Sequence, residues 1–207
     1  MTKSAQQITT DLFGNQIETK TPRTQDRPIN TIVWAKWFKI DPVDEDVERM
    51  IVAASQWALS VEHEDRPRWL SLLGNSGVGK THVARRLWDW LRTRPNWDNK
   101  ADYSPQWIYW PQYIEELRDR GNYEKFRDMA RWPFLVLDDV LAERQSDWST
   151  EKLHNLLGAR DKRWTIITSN KSAGEIAQVD VRIASRMARN GSKVVYLKSK
   201  DYSFRDK

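Results

Sequence analysis

Eight consecutive residues, Gly74-Asn75-Ser76-Gly77-Val78-Gly79-Lys80-Thr81, match the pattern G-x-x-x-x-G-K-[ST], a spacing suited to cradling a chain of phosphates. Glycines let backbone N–H groups turn inward around phosphate oxygens, in conformations a side chain would block. Lys80 brings a point charge to the terminal phosphates, Thr81 offers a hydroxyl to Mg2+, and His82 closes the run. The chemistry also needs a strand before the loop and a helix after it, whose positive end faces the anion. The apolar run 69–73 supplies the first. The stretch 80–91 supplies the second, with Val83, Leu87, Trp90 and Leu91 on one face and Pro95 beyond. The expected ligand is ATP or GTP.

A second strand is tipped with acid. Phe134-Leu135-Val136-Leu137 runs straight into Asp138-Asp139, as a buried strand does when its carboxyl end delivers acidic groups to a ligand crevice. This reads as a Walker B strand: Asp138 holds Mg2+, and Asp139 acts as the base that orients water against the γ-phosphate. Asp is one methylene shorter than Glu, which predicts slow, switch-like turnover. Thr165-Ile166-Ile167-Thr168-Ser169-Asn170 repeats the design with hydroxyls and an amide, and Asn170 is the expected sensor of the γ-phosphate or attacking water.

Cations gather toward the end of the chain. Arg182, Arg186 and Arg189 stand at i, i+4, i+7, one face of a helix. From residue 182 to residue 207, eight basic residues oppose two acidic ones, a local +6 against +5 for the whole chain. Arg182 and Arg186 are the candidates for a finger that reaches a neighbouring subunit's ATP. For nucleic-acid phosphate the candidates are Arg118, Arg120 and Lys125, which follow an aromatic stretch (Trp107, Tyr109, Trp110, Tyr113).

These groups need a scaffold. Strands expected at 69–73, 106–110, 134–137, 165–168 and 193–197 alternate with helical patterns near 47–60, 80–91, 113–118, 123–131, 150–157 and 181–188. That alternation predicts an α/β fold with a parallel sheet covered on both faces. A chain of 207 residues, 39% hydrophobic and 30% charged, fits one domain and has no apolar run of the roughly 20 residues a membrane span needs. Cysteine is absent and the three histidines are scattered, which excludes disulfides, thiol catalysis and Cys-based zinc sites; a cytoplasmic setting is expected, with any metal arriving on the substrate. The twelve tryptophans read as core and interface filler. Residues 1–45 read as a flexible arm for partner docking, with Leu12-Phe13, Ile17, Trp34, Trp37 and Phe38 as apolar points, and residues 46–207 as the catalytic domain.

The order of these motifs resembles the AAA+ ATPases, and in particular the DnaC/DnaI-type replicative helicase loaders and the IstB-like transposition helpers. The likeness rests on Gly74 to His82, Leu137-Asp138-Asp139, Thr165 to Asn170, Arg182-Ile183-Ala184-Ser185-Arg186-Met187 leading into Gly191, and Asp201-Tyr202-Ser203-Phe204-Arg205. It implies a P-loop NTPase three-layer sandwich with a five-stranded parallel sheet, the sensor strand between the phosphate-loop and Walker B strands, and no helical lid domain. It also implies ATP and Mg2+ as cofactors, Arg186 as the arginine finger with Arg182 assisting, and self-association into ATP-bridged oligomers. Partners would be single-stranded DNA and a hexameric replicative helicase, the latter met through the amino-terminal arm. The alternatives are a transposition helper acting on duplex DNA with a transposase and, from another class, a P-loop small-molecule kinase.

Overall fold

The computed structural model describes residues 8–10, 16–18, 28–93, 104–143, 146–189 and 192–201. Five strands form one parallel sheet: β3 (Trp69–Gly74), β4 (Gln106–Tyr109), β5 (Phe134–Asp138), β6 (Trp164–Ser169) and β7 (Lys193–Leu197), in the order β4-β5-β6-β3-β7. The β6 strand lies between β3 and β5, as expected, and sets the ends of the phosphate-loop, acid-tipped and sensor strands side by side. The strands β3, β5 and β6 are buried along their whole length, which explains their near-continuous apolar runs.

Helices cover both faces. Against one face, α1 (Thr31–Phe38), α2 (Glu45–Glu62) and α3 (Lys80–Thr93) bury a core with Leu70, Leu72, Val136, Ile166 and Val195. Against the other, α4 (Trp110–Arg120), α5 (Tyr123–Arg131), α6 (Asp147–Ala159), α7 (Ala173–Val179) and α8 (Val181–Met187) pack on Leu73, Ile108, Leu135, Leu137 and Ile167. The two sets alternate along the strands because successive side chains leave a strand on opposite faces. The three-layer α/β architecture read from the sequence is present.

Helix starts have identifiable causes. Asp44 caps α2 through Val47 N at 2.9 Å, with Glu45, Asp46 and Glu48 in the positively polarised first turn. Ser172 and Glu175 form a reciprocal capping box on α7, a helix the periodicity did not suggest.

Part of the stretch expected to be a flexible arm belongs to the core. Asn30 caps α1 by accepting from Val33 N, and α1 lays Ala35 and the fully buried Phe38 into the first core. Trp37 meets Trp34, Phe38 and Trp90 edge-on or nearly so. Phe38 is therefore a packing residue and is removed from the partner anchors. Further upstream, β1 (Ile8–Thr10) pairs antiparallel with β2 (Gln16–Glu18), which includes Ile17, in a region with no evident period of 2. Leu12-Phe13, Gly191 and residues 202–205 lie outside the described residues. Among the described residues, no helix is long and apolar enough to cross a membrane.

Candidate nucleotide site

The phosphate loop occupies the strand-to-helix turn between β3 and α3. Gly74 has φ 111, and a Cβ there would lie 2.1 Å from the Leu197 carbonyl oxygen, so only glycine lets β3 end against the tip of β7. The loop is tied to the chain beyond that strand: Asn75 N donates to Leu197 O at 2.9 Å, and Asn75 Nδ2 to Lys198 O at 2.8 Å and Ser199 O at 3.2 Å. Asp46, in the first turn of α2, grips the same segment through Ser199 N and Oγ at 2.9 and 3.1 Å and through Lys198 N. Asn75 thus shapes the loop from outside. Val78 is buried in the core and leaves only its backbone for a ligand.

Lys80 opens α3 and is 6% exposed. Its Nζ donates to Gly74 O at 2.8 Å, to Asn75 O and to Asn170 Oδ1 at 2.9 Å. Burial pulls the ammonium down to about 8, against the opposing pull of the Asp139 and Asp138 charges. His82 behaves differently from its neighbours: it lines the cleft, but its Nε2 lies 2.7 Å from Phe38 O and ties α3 to α1.

Asp138 ends β5 almost wholly buried. Its Oδ1 accepts from Thr81 Oγ1 at 2.9 Å and from Thr168 Oγ1 at 2.7 Å. Thr168 Oγ1 in turn accepts from Asp139 N at 2.8 Å, so one hydroxyl holds the Asp138 carboxylate and the Asp139 main chain. That makes Thr168 a site residue to which the sequence reading gave no role of its own; its place among the hydroxyls that end β6 was its signal. Asp139 has φ 59, a left-handed conformation Asp adopts more readily than most L residues, which rationalises Asp over a longer acid here. Its Oδ1 accepts from Asn170 Nδ2 at 2.8 Å. Burial, and then the neighbouring Asp138 charge, push the Asp139 carboxyl above the usual carboxylate range.

These groups surround an open cavity of about 490 Å3, lined also by Ser76, Gly77 and Tyr109. One hydrogen-bonded chain runs Lys80–Asn170–Asp139 and another Thr81–Asp138–Thr168, and the two meet where Thr168 Oγ1 accepts from Asp139 N. The paired hydroxyl of Thr81 and carboxylate of Asp138 form a hard-oxygen donor set of the kind Mg2+ takes when most of its other ligands are water and phosphate. The sequence-predicted loop, metal and catalytic groups Lys80, Thr81, Asp138, Asp139 and Asn170 are therefore brought together.

The arginines are elsewhere. Arg186 lines a separate cavity of about 350 Å3 with Arg68, Trp69, Lys162 and Arg189. Trp69 begins β3 and Gly74 ends it, so the two cavities lie roughly 17 Å apart along the strand. Arg186 packs across α6 at Gly158, where a Cβ would come 3.0 Å from its Cζ, and its Nε is buried without a partner among the described residues. Arg182 turns back on Asp180, with Nε and Nη2 at 3.0 and 2.7 Å from its carboxylate oxygens, a pairing that holds the Asp180 carboxyl down at about 2. Because α8 ends at Met187, Arg189 is off the helix, and the single cationic face expected from the i, i+4, i+7 spacing does not form.

Arg118 and Arg120 end α4, where cations suit the helix dipole, and Lys125 begins α5. The Arg118 guanidinium lies 5.5 Å from the Trp148 ring centre, and Lys125 Nζ 5.1 Å from that of Tyr113. Lys152 joins them, 5.6 Å from Trp148 and 5.7 Å from the half-exposed Tyr123.

No curated protein matches the chain. Among solved structures, the DnaC helicase loader superposes with a TM-score of 0.60 at 24% identity, over 78% of this chain and 96% of that one. DnaI gives 0.59 at 24% identity, over 77% and 88%. A replication initiator DnaA bound to AMPPCP and single-stranded DNA gives 0.59 at 17% identity, over 79% and 50%. At these identities the likeness is one of fold. The model of the bacterial DnaA ATPase domain matches residues 46–202, from the first turn of α2 to just past the segment that Asn75 grips, and on that match the chain belongs to the bacterial DnaA ATPase-domain family, within the AAA+ ATPases.

Proposed function

We propose that this chain is a replication factor of the helicase-loader type, an ATPase that assembles with ATP at its subunit interfaces on single-stranded DNA and acts on a hexameric replicative helicase in the cytoplasm. One observation carries the ATPase reading: the unbroken hydrogen-bonded link from Lys80 through Asn170 to Asp139, lining one cavity with the Thr81–Asp138 pair. A plain nucleotide-binding turn has no need of a half-buried base wired to the phosphate lysine. The likeness of fold to the DnaC loader, and to a DnaA bound to AMPPCP and single-stranded DNA, supports the loader and DNA parts of the reading.

In this mechanism the triphosphate draws Lys80 Nζ from the Gly74 and Asn75 carbonyls, and α3 offers its first-turn N–H groups. Mg2+, held by Thr81 and Asp138, would neutralise charge on the phosphate oxygens. Asp139 accepts a proton from the attacking water, a role its raised proton affinity favours, while Asn170 orients that water or the γ-phosphate. Arg186, a strand-length from its own cleft, serves the neighbouring protomer's nucleotide, so the catalytic set is complete only between two chains. Arg118, Arg120 and Lys125 contact DNA phosphate, and the arm upstream of α1 meets the helicase.

Arg186→Ala should keep the parent's nucleotide affinity in an equilibrium titration and lose ATPase activity by about 1,000-fold or more, the scale expected of a trans finger. Full turnover in that variant assigns the finger to another residue.

A further inference from the structure

On the α3 side of the sheet, arginine and tryptophan alternate. The Arg85 guanidinium lies 3.8 Å from the ring centre of Trp107, on the edge strand β4, and 5.2 Å from that of Trp88. Arg92 follows, 4.6 Å from Trp88. The two indoles meet at 5.9 Å and 73°, and Trp88 Nε1 is fixed on Pro105 O at 3.0 Å. Both arginines are exposed, and neither is bonded to a carbonyl or carboxylate among the described residues. Arg86 beside them provides the contrast: it too lies over a ring, that of Trp37, but its Nε and Nη2 are both committed to Trp37 O. Stacking covers the faces of the Arg85 and Arg92 guanidinium groups and leaves their in-plane N–H donors, which match phosphate oxygens.

Seven residues separate Arg85 from Arg92, two helical turns or about 10.5 Å, on one side of α3. Tyr109, two residues beyond Trp107 on the same face of β4, is 46% exposed at the mouth of the nucleotide cavity. Fixed cations spaced along a line, with an open aromatic ring beside them, are what the backbone and bases of a single strand require. An acidic peptide would use the cations and have no call on the ring.

We propose that the Arg85–Trp88–Arg92–Trp107 ladder is a binding site for the phosphate backbone of single-stranded DNA, separate from Arg118, Arg120 and Lys125 and on the other face of the sheet. It rests on the single-strand reading above. Losing two phosphate contacts flattens the slope of log K against log salt by about 1.4 and lowers affinity by roughly 25-fold at 0.1 M salt.

The test is fluorescence anisotropy of a labelled twenty-residue oligo-dT with the full chain, across a salt series. Arg85→Gln/Arg92→Gln, which keeps much of the stem that packs on the indoles, should show that loss of slope and affinity. Arg85→Lys/Arg92→Lys, which keeps the charge, should retain the parent slope. If the Gln variant matches a parent that binds, or the Lys variant loses as much slope as the Gln variant, the ladder is not a phosphate site, while the Arg118 region keeps its role. If the parent fails to bind the oligonucleotide at all, the single-strand reading falls and the ladder proposal with it.

Discussion

Lys80→Met will bind ATP at least about 100-fold more weakly than the parent in an equilibrium titration with labelled nucleotide, the size expected when a charge-assisted contact in a confined site is removed. In the free chain Lys80 Nζ, which lines the cavity the phosphates would enter, is held by Gly74 O, Asn75 O and Asn170 Oδ1, so it is poised to exchange neutral oxygens for anionic ones. The parent's affinity should also depend on pH. With the free-state value at about 8, the protonated fraction falls about tenfold between pH 7 and pH 9. A triphosphate prefers the protonated form, so affinity weakens by about that factor, whereas Lys80→Met shows no such limb. The stability of the nucleotide-free chain moves the opposite way. Its folded value lies below the ordinary 10.5, so the unfolded chain binds more protons between those limits, and Lys80's contribution to stability rises with pH across that window. Equal ATP affinity in the Met variant would remove Lys80 from the phosphate site.

The nucleotide side was legible in the sequence because its chemistry is local. A phosphate loop needs its glycines and lysine at fixed offsets, and the acid pair and Asn170 each end an apolar run, so spacing placed each at a strand tip, and the resemblance to the AAA+ ATPases implied that those strands are neighbours. What escaped was set by partners distant in sequence. Thr168 becomes the hinge between Asp138 and Asp139 only once β6 lies beside β5, with 29 or 30 residues between the partners. The hold of Asp46 and Asn75 on Lys198 and Ser199 spans more than 120 residues. Arg182 and Arg186 share a helical spacing, yet Asp180 captures one and Gly158 makes room for the other, so spacing could not reveal their separation. The first helix is a different case. Asn30 as cap and Trp34, Trp37 and Phe38 at helical intervals carried the signal, but the run is only eight residues long and rich in aromatics that also suit strands.

Arg160→Ala should cost about 3–5 kcal/mol of stability, comparable with truncating a large core side chain to alanine, because this arginine is fully buried and bonded on every side. It terminates α6, and its Nε donates to Thr165 Oγ1 at 3.1 Å, its Nη2 to Trp164 O at 2.9 Å, and its Nη1 to Trp132 O at 2.9 Å and to Met129 O. One side chain thereby joins the end of α6, the end of α5 and the start of β6. None of the four acceptors is a carboxylate. Burial accordingly pulls the guanidinium down to about 9, with the nearby Arg163 charge adding to the effect. Removing it strands three main-chain carbonyls without that donor and opens a void, so the penalty combines lost hydrogen bonds with lost packing. At about 2–4 °C per kcal/mol for a chain of this size, the thermal midpoint should fall by roughly 6–20 °C. Arg160→Lys recovers only part of this, since one ammonium has three donors for four acceptors in a planar arrangement. Arg160 lies at the opposite end of β6 from Asn170, so below the transition the alanine variant should bind nucleotide with the parent's affinity. A midpoint lowered by less than about 3 °C would mean that the three elements hold together without it.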